Sequence, residues 1–185
     1  MPHVVIIGGG PAGLSAALFT AKNGLDTTLF DTDATWLHKA HLFNYLGIES
    51  IGGESFLDVA RDQVDEFGVE LNQGHEVTDV IKDGSEFHVV ADDMGCAADY
   101  IVLATGANRD LAGELGCAVT EDGVVDVDVT METSVENAYA TGAMVRSEEW
   151  QAIISAGDGA AAALNILSKE KGEHFHDFDT PADAD

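Results

Sequence analysis

The apolar and polar positions alternate between two periods along the chain. His3–Ile7 is a short, continuously apolar, β-branched run, the pattern of a parallel strand buried on both faces. A glycine cluster, Gly8–Gly13, follows. Leu14–Lys22 then has the spacing of a helix, stopped by Asn23-Gly24. Thr27–Phe30 is a second apolar run, closed by Asp31, which completes a β-turn-α-β unit. Asp33–Gly52 has neither period but holds aromatic residues and two histidines, so it reads as a functional loop rather than a disordered one. Phe56–Phe67 is amphipathic, with Phe56, Val59, Ala60, Val64 and Phe67 on the predicted apolar face. Val69–Leu71 resumes the sheet. Glu76–Ile81, Glu86–Ala91 and Ala97–Leu103 alternate as strands, with turns at Lys82-Asp83-Gly84 and Asp92-Asp93-Met94-Gly95, which predicts a β-meander feeding a core strand. Gly123–Val127 and Ala138–Thr141 are two further short strands. Trp150–Glu170 is the last helix, rich in small residues through its first half.

These elements predict a three-layer, Rossmann-like α/β fold: a parallel sheet, a β-meander on one side, and helices on both. No repeat or linker divides the chain. Residues 1–172 read as one domain and residues 173–185 as a polar tail that frays. No apolar stretch is long enough to span a bilayer, and the N-terminal run lacks the basic flank of a signal peptide.

Charge narrows the partners. The chain carries 34 acidic and 8 basic side chains, a formal net charge of −26, spread along its length. Such a field repels nucleic-acid phosphates and anionic lipid, which argues against both as partners. Self-repulsion of this size is screened in concentrated salt, so the composition is that expected of a cytoplasmic protein from a salt-accumulating, haloarchaeal-type cell. Cys96 and Cys117 are the only cysteines and form no CxxC, so they are expected to be small buried or half-buried hydrophobes rather than a redox pair or metal ligands.

Three segments carry chemistry. Gly8-Gly9-Gly10-Pro11-Ala12-Gly13 fits G-x-G-x-x-G between a strand and a helix. Gly8 permits the turn, Gly10 lets backbone approach a pyrophosphate, and Gly13 lets the helix pack on the strand. The free N–H groups and dipole of the helix start favour an anion. Asp31 ends the next strand, where a carboxylate accepts from a ribose 2′-hydroxyl and repels a 2′-phosphate, so the dinucleotide is FAD or NAD rather than NADP. The second segment, Ile101–Ala107, is a buried strand ending in the small residues Thr105, Gly106 and Ala107. The third is Ala138–Gly142 with the helix start at Gln151, Ala152 and Ile153, whose N–H groups suit a ligand carbonyl.

Together with Asn44-Tyr45-Leu46-Gly47, Gly53, the helix and strand over Phe56–Leu71, and Thr133–Gly142, these segments fall in the order seen in thioredoxin reductases. The chain resembles the FAD-binding half of those flavoproteins, from its N-terminus to about Ser168. The resemblance implies FAD across the carboxyl edge of the sheet. Gly8, Gly10, Pro11, Ala12 and Gly13 would lie at the pyrophosphate, Asp31 and Thr32 at the adenosine ribose, and Val77 near adenine. Asn44, Thr105, Gly106, Ala107, Gly142, Ala143, Gln151, Ala152 and Ile153 would lie along the ribityl chain and flavin. The family inserts a pyridine-nucleotide domain, bearing its CxxC, where this chain has only Asn108–Met131. The family also has Gly-Asp where this chain has Gly142-Ala143. Asp158, a turn into the last helix, is too far along to replace that ribityl-binding carboxylate.

The resemblance thus implies a redox flavoprotein needing an external donor: free NAD(P)H, a reductase or another subunit. It does not imply a self-contained thioredoxin reductase. Two alternatives stay open, a non-redox FAD-binding scaffold and a small NAD-dependent oxidoreductase. No catalytic residue is identified. His38 and His41 offer either a donor to the flavin or surface histidines. Arg109 and Arg146 offer cations to phosphate or to an anionic partner. His174, His176, Asp177 and Asp179 form a tail cluster of metal-donor types, read as adventitious. The loop Trp36–Tyr45 and Trp150 are the expected surfaces of a homodimer or partner contact.

Overall fold

The computed structural model describes residues 1–180. The glycine-rich start folds as expected: β1 (His3–Ile7), α1 (Pro11–Lys22) and β2 (Asp26–Asp31). Pro11 begins α1, at a position where its missing N–H costs nothing. A 3-10 turn at Trp36–Lys39 and the two-residue strands β3 (His41–Leu42) and β4 (Ile51–Gly52) give the long loop its shape. Then come α2 (Gly53–Glu66), β5 (Glu70–Gln73), β6 (Val77–Asp83), β7 (Glu86–Ala91), β8 (Met94–Ala98), β9 (Tyr100–Leu103), α3 (Asp110–Glu114), β10 (Ala138–Ala140), a 3-10 turn at Gly142–Val145, and α4 (Ala152–Lys171).

The central sheet is parallel, in the order β10-β9-β1-β2-β5. β1, β9 and β10 are buried on both faces, which is why they read as continuous apolar runs, whereas the edge strand β5 is polar and partly exposed. Val4, Ile6 and Val102 face a core shared with Leu14, Ala16, Ala17, Leu57, Val64 and Ile166 of α1, α2 and α4. Val5, Ile7, Ile101 and Leu103 face a second core built by the β6-β7-β8 meander and Ala112 of α3. All the long helices therefore share one face; only the short α3 joins the meander.

Three expectations are corrected. Ala97–Leu103 is two strands, because the chain breaks at Asp99, whose carboxylate accepts from the His3 N–H at 2.8 Å while its own N–H donates to His3 O. β8 stays with the meander and β9 enters the sheet. The buried side of α2 is Gly53, Leu57 and Val64, whereas Val59 and Phe67 are exposed. Gly123–Val127 makes only isolated bridges, from Val125 to Val119 and from Val127 to Thr133. Beyond α4 the tail lies against the helices as far as Asp179. Gly172, with φ +69°, ends α4, the Phe175 N–H then donates to Ser168 Oγ at 3.1 Å, and Asp177 pairs with Lys22 of α1 at 2.5 Å. Asp179 reaches the same Lys22, so two of the four tail donors are engaged in ion pairs.

Candidate functional site at the carboxyl edge of the sheet

Parallel strands end together, so β1, β2, β9 and β10 deliver their following residues to one edge. Glycine is required there by contact. A Cβ on Gly8 (φ +114°) would lie 2.2 Å from Ala104 O, and one on Gly13 would lie 1.8 Å from Gly8 O. The turn after β1 is thereby folded onto both its own helix and the end of β9. Gly10 is different: its Cβ would meet only Thr35 Oγ1, at 3.6 Å. That absence of protein contact is the cradle a pyrophosphate would fill. Gly10 caps α1 without a side-chain hydrogen bond, and no acid stands in the first turn, so the helix start keeps its positive end open.

Asp31, 5% exposed, ends β2 beneath the turn; a Cβ on Gly9 would collide with its carboxyl group. Its Oδ2 accepts from Arg61 Nη2 at 3.3 Å, while Oδ1 has no hydrogen-bond partner among the described residues. Arg61 also binds Asp33 Oδ1, and Gln73, in the orientation its hydrogen bonding requires, accepts from Arg61 Nε at 2.9 Å. The guanidinium holds the Asp33 carboxyl below the ordinary carboxylate range. Gly74 N–H donates to Asp31 O at 2.6 Å, which brings the β5–β6 loop to the same corner. Val77 itself starts β6 with its side chain in the core, and Thr32 is exposed beside Asp31. Sequence reasoning missed Arg61. The available signal was its rarity, since it is one of three arginines in a chain with 34 acids.

At the other end, Arg109 ties the β9 and β10 loops together. Its Nε donates to Met144 O at 2.9 Å, Nη1 to Ala107 O and Nη2 to Ala143 O, both at 3.2 Å. Arg146 grips the buried Asp158 through two bonds, of 2.6 and 3.3 Å. Both arginines are engaged by the fold itself, Arg109 by main-chain carbonyls and Arg146 by Asp158. Gly142 (φ +70°) turns against α1 and α4, its Cβ direction 3.3 Å from both Ala12 Cβ and Ser155 Oγ. Gln151 caps α4 with its side chain turned away to Asn44, whose Nδ2 donates to Gln151 Oε1 at 2.8 Å, and α4 likewise has no acid in its first turn. Ala152 and Ile153 open that helix. Trp36 and Trp150 pack with ring centroids 5.4 Å apart at the same mouth. His38 bonds Asp33 at 2.9 Å and His41 bonds Ser50 at 2.7 Å, so both belong to the loop's own framework.

The predicted site residues thus line one edge in two groups: the glycine turn, Asp31 and Thr32 at one end, and Thr105–Ala107, Gly142, Ala143, Gln151–Ile153 and Asn44 at the other. An open parallel sheet of this kind, with a glycine turn on a helix start and an acid ending the next strand, is a dinucleotide-binding fold. The chain belongs to the pyridine nucleotide-disulphide oxidoreductase family, whose profile matches residues 2–107 and 50–159.

Among curated relatives, a thioredoxin reductase of Listeria innocua is 37% identical over 117 residues, covering 61% of this chain and 36% of the relative. An NAD(P)H sulfur oxidoreductase (CoA-dependent) of Pyrococcus furiosus is 30% identical over 178 residues, covering 90% of this chain and 38% of the relative. The chain therefore spans under two fifths of the length of these relatives. A thioredoxin reductase structure from Gloeobacter violaceus superposes with a TM-score of 0.85 at 21% identity, covering 97% of this chain and 98% of that one. The atypical thioredoxin reductase from Desulfovibrio vulgaris Hildenborough gives 0.84 at 19% identity, covering 94% and 99%. The fold is the thioredoxin-reductase-like one that the sequence resemblance implied.

Proposed function

We propose that this chain binds FAD non-covalently and works as a redox flavoprotein supplied with electrons from outside. The observation that carries this reading is the open cradle at Gly10, set between an uncapped helix start and the unpaired Oδ1 of Asp31. The residues present fit the group. The α1 N–H groups would take the pyrophosphate, Asp31 the adenosine ribose, and the α4 start a flavin carbonyl. Bound isoalloxazine supplies the electron chemistry; the chain's own residues bind, orient and shield it. Between Ala107 and Thr133 the chain forms only α3 and isolated bridges, with no room for a second nucleotide-binding domain at the place where the resembled reductases carry theirs. The electron donor is then free NAD(P)H, a separate reductase or another subunit.

The test is the visible spectrum of protein purified in molar salt, followed by titration with FAD. A yellow protein, or apoprotein that takes up FAD, supports the reading; a colourless protein that takes up none defeats it. A second reading, a non-redox FAD-binding scaffold, is favoured by Ala143, where the resembled family has a ribityl-binding Asp. Flavin that is bound but not reduced by NADH, NADPH or dithionite would select it.

We further infer a cytoplasmic, salt-adapted protein from the net charge of −26, and a homodimer or partner contact through the exposed Trp36 and Trp150.

A further inference from the structure

Arg61 projects from α2 into the corner where Asp31, Asp33 and Gln73 meet. An arginine beside the acid at the end of β2 is ordinarily read as a receptor for a ribose 2′-phosphate. The geometry gives it another role. A guanidinium has five N–H donors and no acceptor. Here Nη2 serves Asp31 Oδ2 at 3.3 Å and Asp33 Oδ1, while Nε, Nη1 and Nη2 lie 2.9, 3.3 and 3.2 Å from the Gln73 amide oxygen. The Arg61 side chain is 16% exposed, so no open face is left for a phosphate.

The charge balance points the same way. One cation stands against two carboxylates, with His38 bonded to the second of them at 2.9 Å and Glu54 4.0 Å from the same imidazole. The corner stays net negative. At the same time the grip is one-sided: Arg61 holds Oδ2 of Asp31 and leaves Oδ1 without a protein partner among the described residues. A free carboxylate on a strand end rotates about χ2; one oxygen clamped by an arginine fixes where the other points.

We propose that Arg61 is a positioning and specificity residue. It orients the free Asp31 oxygen toward a ribose 2′-hydroxyl, and because its guanidinium is mostly buried and turned onto Asp31, Asp33 and Gln73, it presents no open face to a 2′-phosphate. The role rests on the FAD reading, since it concerns the adenosine end of that ligand. Three elements converge to build it: β2 supplies Asp31, α2 supplies Arg61, and β5 supplies Gln73.

The probes are ADP, 2′-deoxy-ADP and adenosine 2′,5′-bisphosphate, titrated calorimetrically into apoprotein in molar salt, with FAD as reference. In the unaltered chain, ADP is expected to bind roughly tenfold more tightly than 2′-deoxy-ADP, the fold-change for one charge-assisted hydrogen bond, and more tightly than the bisphosphate. Arg61→Gln is expected to weaken ADP while leaving 2′-deoxy-ADP nearly unchanged, so that the ratio falls toward one. Arg61→Lys keeps the charge but not the fork, and is expected to restore part of the ratio. A purely structural role would weaken ADP and 2′-deoxy-ADP equally.

An unchanged ADP to 2′-deoxy-ADP ratio in a folded Arg61→Gln protein overturns the proposal. So does tighter binding of the bisphosphate than of ADP to the unaltered chain, a result that stands even where the Gln variant fails to fold. Failure of the unaltered chain to bind FAD or ADP at all would instead defeat the FAD reading on which the role rests.

Discussion

The backbone of Gly159 in α4 lies against the carbonyl oxygen of Ala12 in α1: a Cβ at Gly159 would sit 2.0 Å from it. The two helices that offer their N-termini to the site are thus packed at the distance glycine allows. Gly159→Ala should separate them and destabilise the fold by about 1–3 kcal/mol, the usual cost of overpacking. A denaturant midpoint that stays in place would show that α4 shifts freely. FAD affinity is expected to fall with the midpoint if, as proposed, the start of α4 lends its amides to the flavin.

Gly10→Val separates binding from folding. The backbone at Gly10 has φ −79°, ordinary for any residue, and the side-chain direction is open apart from Thr35. Thermal stability should change by less than about 1 kcal/mol, as at surface positions, while FAD binding is lost. Loss of folding instead would mean that the cradle is filled by the protein itself.

Ala143→Asp should tighten FAD binding. The residue is half-buried on the turn after β10, its carbonyl held by Arg109 Nη2 at 3.2 Å. A carboxylate accepting from a ribityl hydroxyl contributes roughly 1.5–3 kcal/mol, so the dissociation constant should drop about ten- to hundredfold. Unaltered or weaker binding would show that the ribityl chain takes another course.

Asp33 makes a stability contribution with a definite sign. The Arg61 guanidinium lowers the Asp33 carboxyl below its ordinary value, and His38 adds to this against slight burial. A folded-state value below the unfolded one stabilises the protein above the unfolded carboxylate range, near pH 4, and that stabilisation is lost as pH falls through the lowered folded value. Asp33→Asn should therefore cost stability at pH 7, and the gap from the unaltered protein should close as pH falls below about 4. A gap independent of pH, measured by urea melts, would assign the effect to packing. The side chain is nearly half exposed, so the gap will be small and smaller still in salt.

Salt should stabilise the protein broadly. With a net charge of −26, the melting temperature should rise between dilute buffer and molar salt, as the Debye length contracts from about 10 Å at 0.1 M to about 3 Å at 1 M. A flat response in circular dichroism would remove the basis for salt adaptation.

The β1-α1-β2 unit was legible because a buried strand, a glycine turn and a stop signal each leave a local mark. The break at Asp99 was not, because Ala97–Leu103 is uniformly apolar apart from that one acid, whose meaning lies in its pairing with the distant His3. The inward side of α2 was misjudged for a related reason. Phe56 and Leu57 are adjacent, and helical spacing alone does not say which faces the sheet; Leu57 does. In the candidate site, the placing of the glycine turn and Asp31 at one edge was readable from spacing. Arg61 was not, since its role depends on β2 and β5 arriving at the same corner. Arg109 and Arg146 were placed at the right edge, but their bonds to main-chain carbonyls and to Asp158 were not legible, because partners supplied by the fold itself leave no motif.

The Trp36–Trp150 pair gives the protein a private optical channel. These are its only tryptophans, and they sit 5.4 Å apart where the long loop meets the start of α4. Ultraviolet emission excited at the red edge of the absorption band comes from this one doorway and from nowhere in either core. A melt followed by that light and one followed by backbone dichroism report different things: the first tracks the opening of the loop from α4, the second the loss of the sheet. Where the two curves part, the doorway opens before the building falls.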